Sequence, residues 1–229
     1  MESFWCHTVY SRRLRLERHT SLDREDTLLR YRLYTLVLIA LLSAACDRVG
    51  EIVIVPEFDF AYSFENDLEG WYGSGVDLGT PAVEWSMTRS SEHSSLGSAS
   101  AALTLDNASG AAKVWLEREF DVQPERAYDI QLSFDLGTSD HSGTEPWRVL
   151  AGAHTTPPTE AADLAIQDPT SSGAGSGVTF VQKNYTLRAT ADEEGHIYLV
   201  VGVWGTSLGA RGYFVDNVHV FFTRVSPSS

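Results

Sequence analysis

Between Tyr128 and Leu136 apolar and polar residues alternate without a break. Tyr128, Ile130, Leu132, Phe134 and Leu136 share one parity, and Asp129, Gln131, Ser133 and Asp135 share the other. Successive side chains of an extended chain point to opposite faces, so a period of two specifies a strand with one buried face. Phe58, Phe60, Tyr62 and Phe64 repeat the pattern. Further strands are predicted at about 83–89, 99–106, 113–121, 147–153, 178–188, 196–204 and 213–223, each bounded by Gly, Ser, Pro, Asn or Asp. After residue 57 no segment carries a 3.6-residue apolar stripe, and residues 161–166 suggest one helical turn at most. About nine strands without helices predict an all-β protein, a two-sheet β-sandwich over residues 58–225 with a short tail at 226–229. The connection at 154–177 is rich in Gly, Ser and Pro and reads as one long loop.

Charge divides the chain in two. Residues 1–45 hold seven Arg and five acidic residues, whereas residues 46–229 hold ten basic and twenty-six acidic ones. The overall net charge of −14 argues against nucleic acid as a partner, because affinity for phosphate backbones comes from Lys and Arg. A basic segment ahead of an acidic body suggests a targeting leader. Arg30 and Arg32 precede an uncharged run from Leu33 to Cys46, centred on Leu36-Val37-Leu38-Ile39-Ala40-Leu41-Leu42. The run is short for a membrane-spanning helix, which takes about 20 apolar residues, and has the length of a signal-peptide helix. It ends in Ser43-Ala44-Ala45 directly before Cys46. This resembles the lipobox of bacterial lipoproteins, with Ser43 at the place usually held by an aliphatic residue. The resemblance implies lipidation at Cys46, a leader at 1–45 and a tether at 46–57. It also implies export to the bacterial cell envelope and attachment to the membrane through the lipid. With the leader gone, Cys46 is the only cysteine left, so no internal disulfide is expected.

Three stretches of the body resemble carbohydrate-binding modules with a jelly-roll, galactose-binding-like fold. They are Phe64-Glu65-Asn66-Asp67-Leu68-Glu69-Gly70-Trp71, His93-Ser94-Ser95-Leu96-Gly97-Ser98, and Gly212-Tyr213-Phe214-Val215-Asp216-Asn217-Val218. The resemblance implies a jelly-roll sandwich. It also implies a structural calcium ion tying the first strand to the last, held by Glu65, a backbone carbonyl near Gly97, and Asp216. Calcium takes several oxygen ligands, which carboxylates and carbonyls supply.

Nothing in the chain spells a catalytic motif. His93, His141, His154, His196 and His219 make no zinc-protease spacing, and no nucleophile elbow or phosphate loop is present. The chain is therefore read as a non-enzyme. Sugar recognition needs an aromatic face with hydrogen-bonding groups beside it. Strand parity supplies a candidate. Val114, Leu116 and Phe120 face inward, which leaves Trp115 and Glu117 outward. Ile197, Leu199, Val201 and Val203 face inward, which leaves Tyr198 and Trp204 outward. With Gln131, these five residues form the predicted ligand face, and Trp115 is expected to be exposed. The expected function is a lipid-anchored, non-catalytic binding module for carbohydrate. The alternative is an envelope lipoprotein that contacts another envelope protein and no sugar.

Overall fold

The computed structural model describes residues 57–79, 83–107, 110–139, 147–169, 177–205 and 209–226. The leader, Cys46, all of the tether but Glu57, and residues 227–229 lie outside them. Eleven strands are present: β1 (Phe58–Tyr62), β2 (Tyr72–Val76), β3 (Trp85–Ser90), β4 (Ser100–Asp106), β5 (Lys113–Asp121), β6 (Ala127–Thr138), β7 (Arg148–His154), β8 (Ile166–Pro169), β9 (Thr179–Thr190), β10 (His196–Trp204) and β11 (Ala210–Arg224). A 3₁₀ turn at Ala161–Asp163 precedes β8. All the strands fall within one compact unit, Ile54–Ser229.

The strands form a jelly-roll sandwich of two antiparallel sheets. The larger sheet runs β3-β4-β11-β6-β9, with β1 also paired to β11; the smaller runs β2-β5-β10-β7-β8. β11 meets β6 along one edge. Its other edge is shared, first by β4 over Ala210–Val215 and then by β1 over Val218–Phe222. The handover falls at a register shift after Asp216, where Asn217 takes a positive φ of 50°. Asn adopts that left-handed backbone more readily than most residues, which suits it to the bulge.

The core is the parity pattern closed on itself. Ile130, Leu132, Phe134 and Leu136 of β6, with Tyr213, Val215, Val218 and Val220 of β11, pack against Val114 and Leu116 of β5 and Ile197, Leu199, Val201 and Val203 of β10. Each such side chain contributes about 1.5–3 kcal/mol on full burial. One end is closed by rings: Phe60 lies 5.2 Å from Phe120, Phe120 lies 5.4 Å from Phe222, and Trp71 lies 5.6 Å from Tyr62.

Two strands escape the sequence reading, and both are edge strands. β2 reads Tyr-Gly-Ser-Gly-Val, and its two glycines hide the alternation. β8 is four residues long, ends in Pro169, and sits inside the stretch read as one loop. β8 matters most. By pairing with β7 it returns the chain across the smaller sheet, so the eleven residues between them fold over that sheet's outer face.

Candidate functional site

The outward residues of the smaller sheet can be read off its registers. Tyr72, Glu117, Val200 and Gly152 form one row across four strands. Ser74, Trp115, Gly202, Leu150 and Gln167 form the next row. On the other side of the first row stand Glu119, Tyr198 and His154.

Parity assigns Trp115 to the outer face correctly, yet the expectation that it is exposed is overturned. Trp115 is 0% exposed and forms a second apolar cluster with Leu150, Val200 and Leu164. Leu164 follows the 3₁₀ turn, and the two residues before that turn are held by Asp163: its Oδ2 accepts Thr159 N at 2.9 Å and Glu160 N at 3.0 Å. The loop after β7 is thus pinned as a cover, and the ring beneath is packing. Gly202 makes room for it, since a Cβ there would lie 2.4 Å from Trp115 Cβ.

Glu117 is also buried, at 1% exposure. Its Oε1 accepts the Tyr72 hydroxyl at 2.6 Å and its Oε2 accepts Trp115 Nε1 at 2.9 Å. Burying a carboxylate is costly unless it is hydrogen-bonded, and these two donors offset part of that cost. Among the described residues no Lys or Arg forms an ion pair with it.

Gln131 is a second correction. It lies on β6 of the larger sheet, exposed, where its Oε1 accepts Thr186 Oγ1 at 3.0 Å. It therefore takes no part in the face it was grouped with. Trp204 is on the predicted face, but its ring is occupied. Lys113 Nζ stands 4.4 Å and Arg148 Cζ 5.1 Å from its centroid, and its Nε1 donates to Gly110 O at 2.7 Å. A sugar would have to displace a cation to stack there.

Tyr72, absent from the sequence-based set because β2 was unread, is the large aromatic that this face offers to solvent, at 45% exposure. Its hydroxyl pKa is raised, first by desolvation and then by Glu117. Tyr198 donates to Glu119, and this bond, with some desolvation, pushes its pKa up to about 12. Burial lowers the His154 pKa against the opposing pull of Asp163 and Glu117. Among the described residues its Nε2 is buried without a hydrogen-bond partner, and it lies over Gly152, where a Cβ would sit 2.2 Å from it. The open part of the face is therefore the exposed Tyr72 ring, set over buried Glu117, with Tyr198 and Glu119 as acceptors on the same sheet face.

Glu65, Gly97 and Asp216 come together around the turn between β3 and β4. Asp216 Oδ2 accepts Ser95 N at 2.8 Å, Leu96 N at 3.0 Å and Ser95 Oγ at 3.1 Å, and its Oδ1 accepts Asn217 N at 2.7 Å. Glu65 accepts Ser98 N at 2.8 Å, Ala99 N at 3.2 Å and Ser98 Oγ at 2.7 Å. Arg89 Nε donates to Phe64 O at 2.9 Å, and its other nitrogen to Glu65 O at 2.6 Å. The oxygen-rich set has the chemistry calcium takes. As arranged, however, N–H and O–H hydrogens occupy the lone pairs that face the turn. The carboxylates form a hydrogen-bonded clasp, and a calcium ion held by the same oxygens would have to take the place of these donors.

No family model and no curated protein matches this chain. Solved structures resemble it distantly. The CBM22-1 xylan-binding domain from Paenibacillus barcinonensis Xyn10C is 11% identical over 73% of this chain and 95% of that one, with a TM-score of 0.43. TmCBM27, described for specific mannan recognition, is 18% identical over 72% and 96%, with a TM-score of 0.44. A cleaved adhesin domain of Lys-gingipain from Porphyromonas gingivalis is 14% identical over 71% and 97%, with a TM-score of 0.43. What those proteins bind is a property of theirs.

Proposed function

We propose that this chain is an exported, lipid-anchored, non-catalytic module that binds a neutral polysaccharide on the outer face of its smaller sheet. The observation that carries the reading is Tyr72. Its ring is 45% exposed on a strand face, and its hydroxyl is held at 2.6 Å by a buried carboxylate. A solvent-facing strand position ordinarily takes a polar side chain, so a ring fixed there is a platform for an apolar sugar face. Glu119 and Tyr198 supply acceptors for hydroxyl donors, while Glu117 beneath them holds the Tyr72 hydroxyl in place. The same carboxylates repel acidic sugars, which narrows the class to neutral chains. Cys46 supplies the anchor in this reading.

The test is retardation of the chain in gels cast with neutral and with uronic-acid polysaccharides. Retardation by a neutral polysaccharide, weakened several-fold by Tyr72→Ala under conditions where a thermal melt shows that variant still folded, is the expected result. Migration unaffected by any neutral polysaccharide, or retardation that Tyr72→Ala leaves intact, would overturn the reading.

A further inference from the structure

At the end of the sandwich where β5 stops and β10 starts, Asp121 and His196 are paired across the two strands. Glu119 lies one outward position along β5. His196 Nε2 stands 3.5 Å from Asp121 Oδ1 and 3.8 Å from Glu119 Oε1. On its other side His196 Nδ1 is 3.3 Å from Asp192 Oδ2 and 4.0 Å from Glu194 Oε2. Asp192 is itself held by the turn: its Oδ1 accepts His196 N at 2.7 Å and Glu194 N at 3.0 Å. Among the described residues none of these carboxylates forms an ion pair with a Lys or Arg.

A neutral imidazole has one N–H and one lone pair. Asp192 and Glu194 place negative charge on the Nδ1 side, where the proposal puts the ring's single hydrogen. With the hydrogen on Nδ1, the Nε2 lone pair lies on the side of Glu119 and Asp121, and one nitrogen and two carboxylate oxygens stand within 4.8 Å of one another. A carboxylate behind a histidine and an open nitrogen in front of it is the arrangement that orients metal-ligating imidazoles. The separations also suit it. Ligand atoms bonded to tetrahedral zinc at about 2.0–2.2 Å stand roughly 3.3 Å apart. The observed 3.5 and 3.8 Å leave a small adjustment to two exposed side chains. Imidazole with carboxylates favours zinc and its transition-metal neighbours over calcium or magnesium.

We propose that His196 Nε2, Glu119 and Asp121 form a divalent transition-metal site, with Asp192 as the positioning residue on Nδ1. The fourth position is open to solvent. The site borders the Tyr72 face through Glu119 but stands on its own geometry, with or without a saccharide ligand.

The experiment is calorimetric titration of zinc chloride into the metal-stripped full chain, with histidine ring resonances followed by NMR. One chelator-reversible zinc per chain is expected, together with a shift of the His196 Nε2 resonance. His196→Gln should abolish that binding. Glu119→Gln with Asp121→Asn should weaken it at least tenfold, and Asp192→Asn should weaken it on the order of 10–100-fold while leaving the stoichiometry at one. Thermal melts of the metal-free variants, matching the parent, confirm that each is folded. Absence of zinc binding in the parent chain overturns the proposal, as does binding that His196→Gln leaves unchanged. Binding lost in Asp192→Asn but retained in the Glu119/Asp121 double variant places the ion on Nδ1 and overturns it too.

Discussion

Trp115 Nε1 donates to Glu117 Oε2 at 2.9 Å, two positions along the same outward face of β5, and both residues are buried. An outward tryptophan here is a packing element that also supports a buried carboxylate. Trp115→Ala would remove the centre of the outer apolar cluster and one of the two donors to Glu117. The expected cost is about 3–5 kcal/mol. In a domain of this size that lowers the melting temperature by roughly 10 °C. A variant that melts with the parent would show that the loop after β7 does not hold the ring down.

Glu117 should be visible in the titration of Tyr72. Burial and the bond to Glu117 both raise the phenol above its ordinary value. Glu117→Gln removes the charge and leaves the burial, so the Tyr72 pKa should fall part of the way back toward 10. Alkaline spectrophotometric titration, with Tyr72→Phe identifying the band, measures the shift. An unchanged Tyr72 titration would mean that the bond to Glu117 is not formed in solution.

The two sheets are also joined by charge. Asp168 of β8 accepts Tyr185 Oη at 2.8 Å and Lys183 Nζ at 3.1 Å, both from β9 on the other sheet. Burial acts to raise the Asp168 pKa, but the bonds from Tyr185 and Lys183 outweigh it, and the net shift is downward. A depressed folded pKa contributes stability above the unfolded value near 3.8, and that contribution disappears as pH falls through the lower folded value. Asp168→Asn should therefore cost roughly 1 kcal/mol at pH 7, allowing for solvent screening at this half-buried site. Urea denaturation of both proteins should show the gap closing below pH 4. A gap independent of pH would assign the cost to packing.

The clasp at the β3–β4 turn gives a test that also speaks to calcium. Asp216→Ala leaves Ser95 N and Leu96 N without their acceptor. A loss of about 1–3 kcal/mol is expected in buffer containing a chelator. Thermal denaturation with chelator and with calcium measures it. A melting temperature that calcium raises in the parent, and that Asp216→Ala leaves unmoved in chelator, would return these residues to the metal site that the sequence resemblance implies.

The anchor stands or falls at one atom. Cys46→Ser removes the only sulfur available for lipid after the proposed cleavage. The expressed protein should then leave the detergent phase on phase separation, or keep its leader. Mass spectrometry showing a mature N-terminus elsewhere, with no added lipid on the parent chain, would sink the idea.

Alternation alone determined the strands that build the core, and it determined which face each residue takes. Trp115, Glu117, Tyr198 and Trp204 all point away from Val114, Leu116, Leu199 and Val201, as parity requires. A side-chain period of two is a local property of extended backbone and survives whatever the strand later meets. Which sheet a strand joins is decided elsewhere. Gln131 shares the outward parity but belongs to β6, whose neighbours are β11 and β9, so it faces the opposite side of the molecule. β2 and β8 left little trace in the sequence, because glycine and proline at short edge strands erase the pattern. That gap concealed both the exposed ring of Tyr72 and the return of the chain over Trp115. Exposure on an outer sheet face depends on whether a distant segment lies across it. That segment is placed by long-range pairing between β7 and β8 and by Leu164 packing, so burial of Trp115 and Glu117 was decided by the tertiary structure.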